Sequence, residues 1–217
     1  MNQVIFNNPL VIGICLNFGI VIGMYRLLKT NKNTVDSNIR IDKTARHEHE
    51  PFKVVLTGGP CAGKSTALNL IKENLIQKGY DVYTVPETST ILLSNGCKYP
   101  GLHNTELLLH YEELYTRLQL HIENTFNAIA IKNIEISKKN SIIIYDRGIL
   151  DVKAYVSEAI WHEILDRLKL TEQDILNRYH LICDLVSTAV DIPEFFTTDN
   201  NIARTETVTE AKELDSR

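Results

Sequence analysis

The sequence predicts an α/β fold built on a parallel sheet, and three observations carry that prediction. Short β-branched runs (FKVVLT, DVYTV, SIIIYD) alternate with longer segments of helical spacing. The first run closes on a glycine-rich turn that opens directly into a helix, Gly58-Gly59-Pro60-Cys61-Ala62-Gly63-Lys64-Ser65. The chain has 217 residues, 44% apolar and 23% charged, which is enough for one such domain and an appendage but not comfortably for two. Alternating strands and helices imply right-handed crossovers and helices on both faces, with the ligand at the carboxyl ends of the strands.

The elements follow in order. The first 25 residues carry no charged side chain, and Pro9 to Tyr25 is nearly all apolar. A spanning helix needs about 20 apolar residues, so residues 1–28 read as a membrane anchor. A mitochondrial targeting stretch and a soluble leader are the alternatives. Arg26, Lys29 and Lys32 follow the apolar run, which places the rest of the protein in the cytosol. Residues 29–51 are polar, mixed in charge and without apolar period, a linker in which His47 and His49 read as solvated.

The folded domain is expected over 52–217. A buried strand from Phe52 leads into a helix with apolar residues at Ala67, Leu68, Leu70, Ile71, Leu75 and Ile76, closed by Gly79. DVYTV is a second strand ending at Pro86. From Asn104 to Lys138 a stripe through Leu107, Tyr111, Leu114, Leu118 and Ile122 predicts one long helix or two abutting ones. SIIIYD is the third strand, Leu150 to Arg178 is helical, His180 to Ala189 is the fourth strand, and Ala203 to Arg217 is a charged helix.

The turn from Gly58 to Ser65 fits GxxxxGK[ST], a P-loop, between a strand and an amphipathic helix as that motif requires. Its backbone, from Gly58, Gly59, Pro60, Cys61, Ala62 and Gly63 through Thr66, forms the expected cradle for the phosphates. Proline supplies only its carbonyl and fixed φ. Lys64 then bridges β- and γ-phosphate oxygens, and the Ser65 hydroxyl ligates Mg²⁺. Asp146, at the end of the third strand, holds the metal directly or through water, or else caps the next turn. Arg147 presents its planar fork to the acceptor, or sits in a salt bridge. Glu87 takes the proton of an attacking hydroxyl, or marks a helix start. Arg204 reaches over the γ-phosphate as a lid arginine, or lies solvated on a helix. A net charge of −4 gives no case for nucleic acid as the partner. The four cysteines, Cys15, Cys61, Cys97 and Cys183, form no CxxC pair and read as ordinary thiols. Nothing in the sequence sets an oligomeric state.

Taken together, GGPCAGKST, VPETST, YEELYTRLQL, IIIYDRG with DVKAYV, and DLVSTA followed by NIARTET resemble the AAA-like P-loop domain of NadR-type proteins and the TRPL translocation defect protein family. The resemblance runs from Phe52 to Arg217. It implies a nucleoside- or nucleotide-kinase-like fold that binds ATP or GTP. The NadR branch resembles a ribosylnicotinamide kinase. The translocation-defect branch is associated with GTP, phosphoinositide lipids and membrane traffic. Relatives continue into a further strand and a base-contacting loop, so the fold is expected to be cut short at its C-terminus. Two functions follow as expectations. The favoured one is a GTP-binding regulator of membrane or receptor trafficking. The alternative is a small-molecule kinase using Lys64, Glu87, Asp146 and Arg147.

Overall fold

The computed structural model describes residues 50–101, 104–191 and 207–215. The expected anchor over 1–28 and nearly all of the linker over 29–51 lie outside the described residues. Among the described residues no helix is long and apolar enough to cross a membrane.

Among the described residues, four strands form one parallel sheet: β1 (Phe52–Thr57), β2 (Asp81–Val85), β3 (Ser141–Asp146) and β4 (Leu181–Asp184), in the spatial order β2-β3-β1-β4. β1 is central, with Leu56 level with Asp146 on one side and with Cys183 on the other. Alternation along the strands divides the core between two faces. Val54, Leu56, Ile142 and Ile144 pack with Ala67 and Leu75 of α1 (Lys64–Gln77). Val55, Ile143 and Tyr145 pack with Ala130 of α3 (Thr105–Ser137) on the opposite face. α1 turns back at Gly79, whose φ of +88° closes the helix as expected. α2 (Thr88–Ser94) begins at Glu87.

The stretch Asn104–Lys138 holds one helix, Thr105–Ser137, of 33 residues and about 50 Å. The Asn104 side chain caps its start by accepting from Leu107 N–H at 3.0 Å, and Lys138 ends it in a left-handed conformation. Its buried face is not the one the apolar stripe predicts. Leu107 and Leu114 are half exposed, whereas Leu108, Glu112, Thr116, Gln119 and Glu123 are buried. The helix turns a polar stripe toward the carboxyl edge of the sheet, where charged groups need partners, and apolar contact is supplied by Leu108, Ala130 and Ile134.

After β3, a 3₁₀ turn (Ile149–Tyr155), α4 (Glu158–Leu168) and α5 (Glu172–Leu176) occupy the segment read as helical. They bury Trp161, whose Nε1–H donates to Glu172 Oε1 at 2.6 Å, in a second core with Leu108. β4 is shorter than the expected strand over 180–189. The Leu185 N–H still donates to the Thr57 carbonyl at 3.0 Å, but the chain then leaves the sheet for the short α6 (Thr188–Asp191). There the Ser187 hydroxyl donates to the Pro60 carbonyl and accepts from Ala189 N–H, so these residues brace a loop rather than extend a strand. The described part of the last helix, α7 (Val208–Asp215), packs on α6. Its start is fixed by Thr207 and Glu210, each accepting a hydrogen bond from the backbone N–H of the other. No disulfide joins the described cysteines.

Candidate functional site

The carboxyl ends of the strands gather Gly58, Glu87, Arg147 and Leu185 along one edge, as parallel topology requires. Gly58 has φ +130°, open to glycine, and a Cβ there would lie 2.0 Å from the Leu185 carbonyl oxygen. Cys61 (φ +59°) and Gly63 (φ +77°) complete the curl, and α1 starts at Lys64 with its N-terminus on the loop. The Lys64 ammonium donates to the carbonyls of Gly58 and Gly59, both at 2.8 Å. Burial, with Arg147 adding repulsion, brings Lys64 down to about 8 against the attraction of Glu87, Asp146 and Asp151.

Opposite the loop, Arg147 is the hub of a second cluster. Its backbone is left-handed (φ +71°), and its N–H donates to the Leu56 carbonyl at 3.0 Å. Its Nε–H donates to Glu87 Oε1 at 2.6 Å and its Nη1–H to Asp151 Oδ1 at 3.1 Å, while the guanidinium lies 5.6 Å from the centre of the Tyr155 ring. Burial works against the Arg147 charge, but Tyr155, Asp151 and Glu87 outweigh it and hold the group above the ordinary arginine value. Burial pushes Glu87 up, yet Arg147, the hydrogen bond with Ser89 and Lys64 hold its carboxyl below the usual range, so it is ionised. Glu87 is both a helix start and an ion-pair partner. Arg147 is in a salt bridge and faces the same edge as the loop.

Asp151, the first residue of DVKAYV, was given no role of its own in the sequence although it organises this cluster. It also accepts from the Thr57 hydroxyl at 2.6 Å and from Gly148 N–H at 2.8 Å. Besides that motif, the signal for it was its spacing, four residues after Arg147 and three after a helix-starting glycine. Gln119 was missed too. Its Oε1 accepts from the Thr88 hydroxyl, and its Nε2–H donates to Glu123 at 3.1 Å and to the Arg147 carbonyl at 3.4 Å.

Asp146 shares this electrostatic neighbourhood. Burial and the Glu87 charge raise its carboxyl, while Lys64 and Arg147 pull it down. That is a condition a divalent cation relieves, and the donors on offer, the Asp146 carboxylate and the Ser65 hydroxyl at the first turn of α1, are hard oxygens that suit Mg²⁺. Among the described residues no three His, Cys, Asp or Glu side chains form a cage of their own. Arg204 lies outside the described residues.

A strand, a left-curling glycine loop, a lysine on a helix start and a parallel sheet with its charged residues at one edge define a P-loop nucleotide-binding domain. Residues 53–217 match the family model described as "AAA domain", AAA_28, and the chain belongs to that family. No curated protein matches it. Among solved structures it is similar to a deoxyadenosine kinase from M. mycoides with bound dATP, at 16% identity and a TM-score of 0.38, covering 76% of this chain and 80% of that one. That likeness is too distant to assign anything to this chain.

Proposed function

We propose that the protein transfers the γ-phosphoryl group of ATP or GTP to the hydroxyl of a small molecule. The observation that carries this reading is the Glu87–Arg147–Asp151 constellation set across from the phosphate loop. A nucleotide-dependent regulator of membrane traffic, with GTP and phosphoinositide lipids as its ligands, is the reading that the resemblance favours. It has no need of such a buried acceptor-side cluster.

In this reading Gly58 to Thr66 wrap the phosphates, and Lys64 exchanges its two loop carbonyls for β- and γ-oxygens. Ser65 and Asp146 would hold Mg²⁺, which neutralises charge on those oxygens. The acceptor oxygen bonds to the γ-phosphorus while the bond to the β-phosphate oxygen breaks. The electron pair leaves with the diphosphate, and the acceptor proton departs toward Glu87. Arg147, pre-oriented by two carboxylates, steadies the acceptor and the charge in transit. Arg204 would close over the γ-phosphate. The apolar segment over 1–28 would tether this machinery to a membrane from the cytosolic side.

The test is transfer rate beside nucleotide affinity in one preparation of the full chain. Glu87→Gln keeps shape but loses the charge that pairs with Arg147, so ATP and GTP affinity should barely change while transfer falls by about 10²–10⁴-fold. Transfer at the wild-type rate rules out the proton-accepting role. If wild type consumes neither ATP nor GTP in response to any small hydroxyl compound, the transferase reading fails and the regulator stands.

Asp146→Asn tests the metal assignment separately. Affinity for the nucleotide should lose most of its dependence on Mg²⁺, with the melting temperature unchanged within a few degrees. Titrations with and without Mg²⁺ decide it, and an unchanged metal dependence in the variant removes Asp146 from the site.

A further inference from the structure

Four buried polar side chains, Glu112, Thr116, Gln119 and Glu123, lie on one face of α3 at spacings of four, three and four. Polar groups are kept out of water only where something satisfies them. Three of the four are satisfied within the chain. The Thr116 hydroxyl donates to the backbone carbonyl of Glu112, and Gln119 holds Thr88, Glu123 and Arg147. Glu123 accepts from Gln119, from the Tyr179 hydroxyl at 2.8 Å and from Arg178 Nε–H at 3.0 Å.

Glu112 breaks the pattern. It is only 4% exposed, yet no hydrogen bond from a described residue reaches its carboxyl. Nor are its oxygens sealed: among the described residues, the enclosed side-chain oxygens lacking a partner are those of Asn127 and Ser141. The carboxyl therefore keeps a narrow contact with solvent. Around it stand aromatic groups. Tyr99, from the segment after α2, meets Tyr111 edge-on at 5.6 Å, and Tyr99 also lies within electrostatic reach of both Glu112 and Tyr155. Tyr115, one turn along α3, is within the fields of Glu112, Glu87, Arg147 and Asp151. Glu112 thus stands at the open end of the stripe, joined through Tyr115 to the acceptor-side cluster.

We propose that Glu112 is the recognition group of an acceptor subsite for an uncharged, ring-bearing alcohol, which takes a hydrogen bond from the Glu112 carboxyl and lays a flat ring against Tyr99 or Tyr155. This rests on the transferase reading and names the kind of molecule that receives the phosphoryl group. Burial alone pushes the Glu112 carboxyl up to about 7, so below neutrality it keeps a proton to donate. The other titratable groups near it are Tyr99, Tyr111 and Tyr115, with Cys97 beyond Tyr111. Their phenols are all raised, and Tyr99 reaches about 12, so they stay neutral while Glu112 titrates. A site built on a donated hydrogen bond rejects a molecule that cannot accept it far more strongly than a purely apolar pocket would.

The experiment uses the full chain, MgATP and MgGTP, and five probes: adenosine, guanosine, cytidine, uridine and ribose, the last lacking a flat ring. Transfer is followed for wild type, Glu112→Gln and Glu112→Leu from about pH 6 to about pH 9. The expected result is transfer to at least one nucleoside and none to ribose. Above about pH 7 the acceptor KM of wild type should rise toward about tenfold per pH unit as the proton is lost. Glu112→Gln, whose amide still donates, should keep the low-pH KM and show no such rise. Glu112→Leu should raise the acceptor KM by about 10²-fold or more, with the nucleotide KM unchanged. The proposal is overturned if the wild-type acceptor KM is flat across that range, if Glu112→Gln shows the same rise, or if ribose serves as well as any nucleoside. It is also overturned if no probe is phosphorylated while another alcohol is. Failure to use any alcohol, with nucleotide binding intact, instead marks failure of the transferase reading. Should Glu112→Leu not fold, the wild-type and Glu112→Gln pH profiles decide the matter alone.

Discussion

Lys64→Ala should reduce ATP and GTP affinity by about 10²-fold or more, since its charge-assisted hydrogen bonds to phosphate oxygens, stronger than the carbonyl bonds they replace, are lost. The fold should survive, because among the described residues the Lys64 ammonium donates only to the Gly58 and Gly59 carbonyls of its own loop. Calorimetric titration beside a thermal melt checks both halves, and near-normal affinity in the variant removes the loop from the nucleotide site. The sign of the pH dependence follows from the same residue. Its ammonium sits at about 8, lowered by burial and by Arg147, so wild-type affinity should decline as pH rises through that value. Below it the ammonium is charged and affinity levels off. In the alanine variant this part of the pH dependence should vanish.

Gly58→Ala should be the most damaging single-methyl change in the domain. The added carbon would stand 2.0 Å from the Leu185 carbonyl oxygen and 2.9 Å from its carbon, both backbone atoms in the register between β1 and β4. Neither can move without parting the central strand from its neighbour, and φ +130° is itself costly for alanine. A loss beyond about 4 kcal/mol, or failure to fold, is expected. Gly79→Ala is the matched control. It too replaces a glycine at positive φ (+88°), but nothing lies within 4 Å of the added carbon, so only the backbone term of about 1–2 kcal/mol remains. Denaturant melts of the two variants separate strain from collision. Similar losses in both would mean that the approach of Leu185 is unimportant.

Much of this arrangement is written in local sequence. The strands at Phe52, Asp81 and Ser141 and the helix after Gly63 appear where short-range pattern puts them, because burial and turn chemistry act over a few residues. The same is true of Glu87 and Arg147, each the first or second residue after a strand, which parallel topology delivers to one edge. What was hidden depends on contacts remote in the chain. Asp151 is bonded to Thr57, 94 residues away, and no spacing rule reports such a pair. The long helix misled for a related reason. Its apolar stripe at Leu107 and Leu114 is regular, but the sheet edge it crosses carries charge, so satisfying polar groups decided which face turned inward. The fourth strand was overextended because Leu185 continues the ladder while Ser187 is diverted to the Pro60 carbonyl. That choice depends on a loop more than a hundred residues earlier.

The resting position of Lys64 has one more consequence. With two loop carbonyls already against its ammonium, an incoming ligand earns no credit for supplying a first partner. It must displace neutral dipoles that are in place before it arrives. Only the margin between those dipoles and the newcomer's oxygens counts toward retention, and that margin grows with the negative charge brought to bear. A weakly charged visitor gains little from the exchange, whereas a triphosphate gains most. The loop is therefore a comparator of anionic strength, holding a built-in standard against which each ligand is weighed.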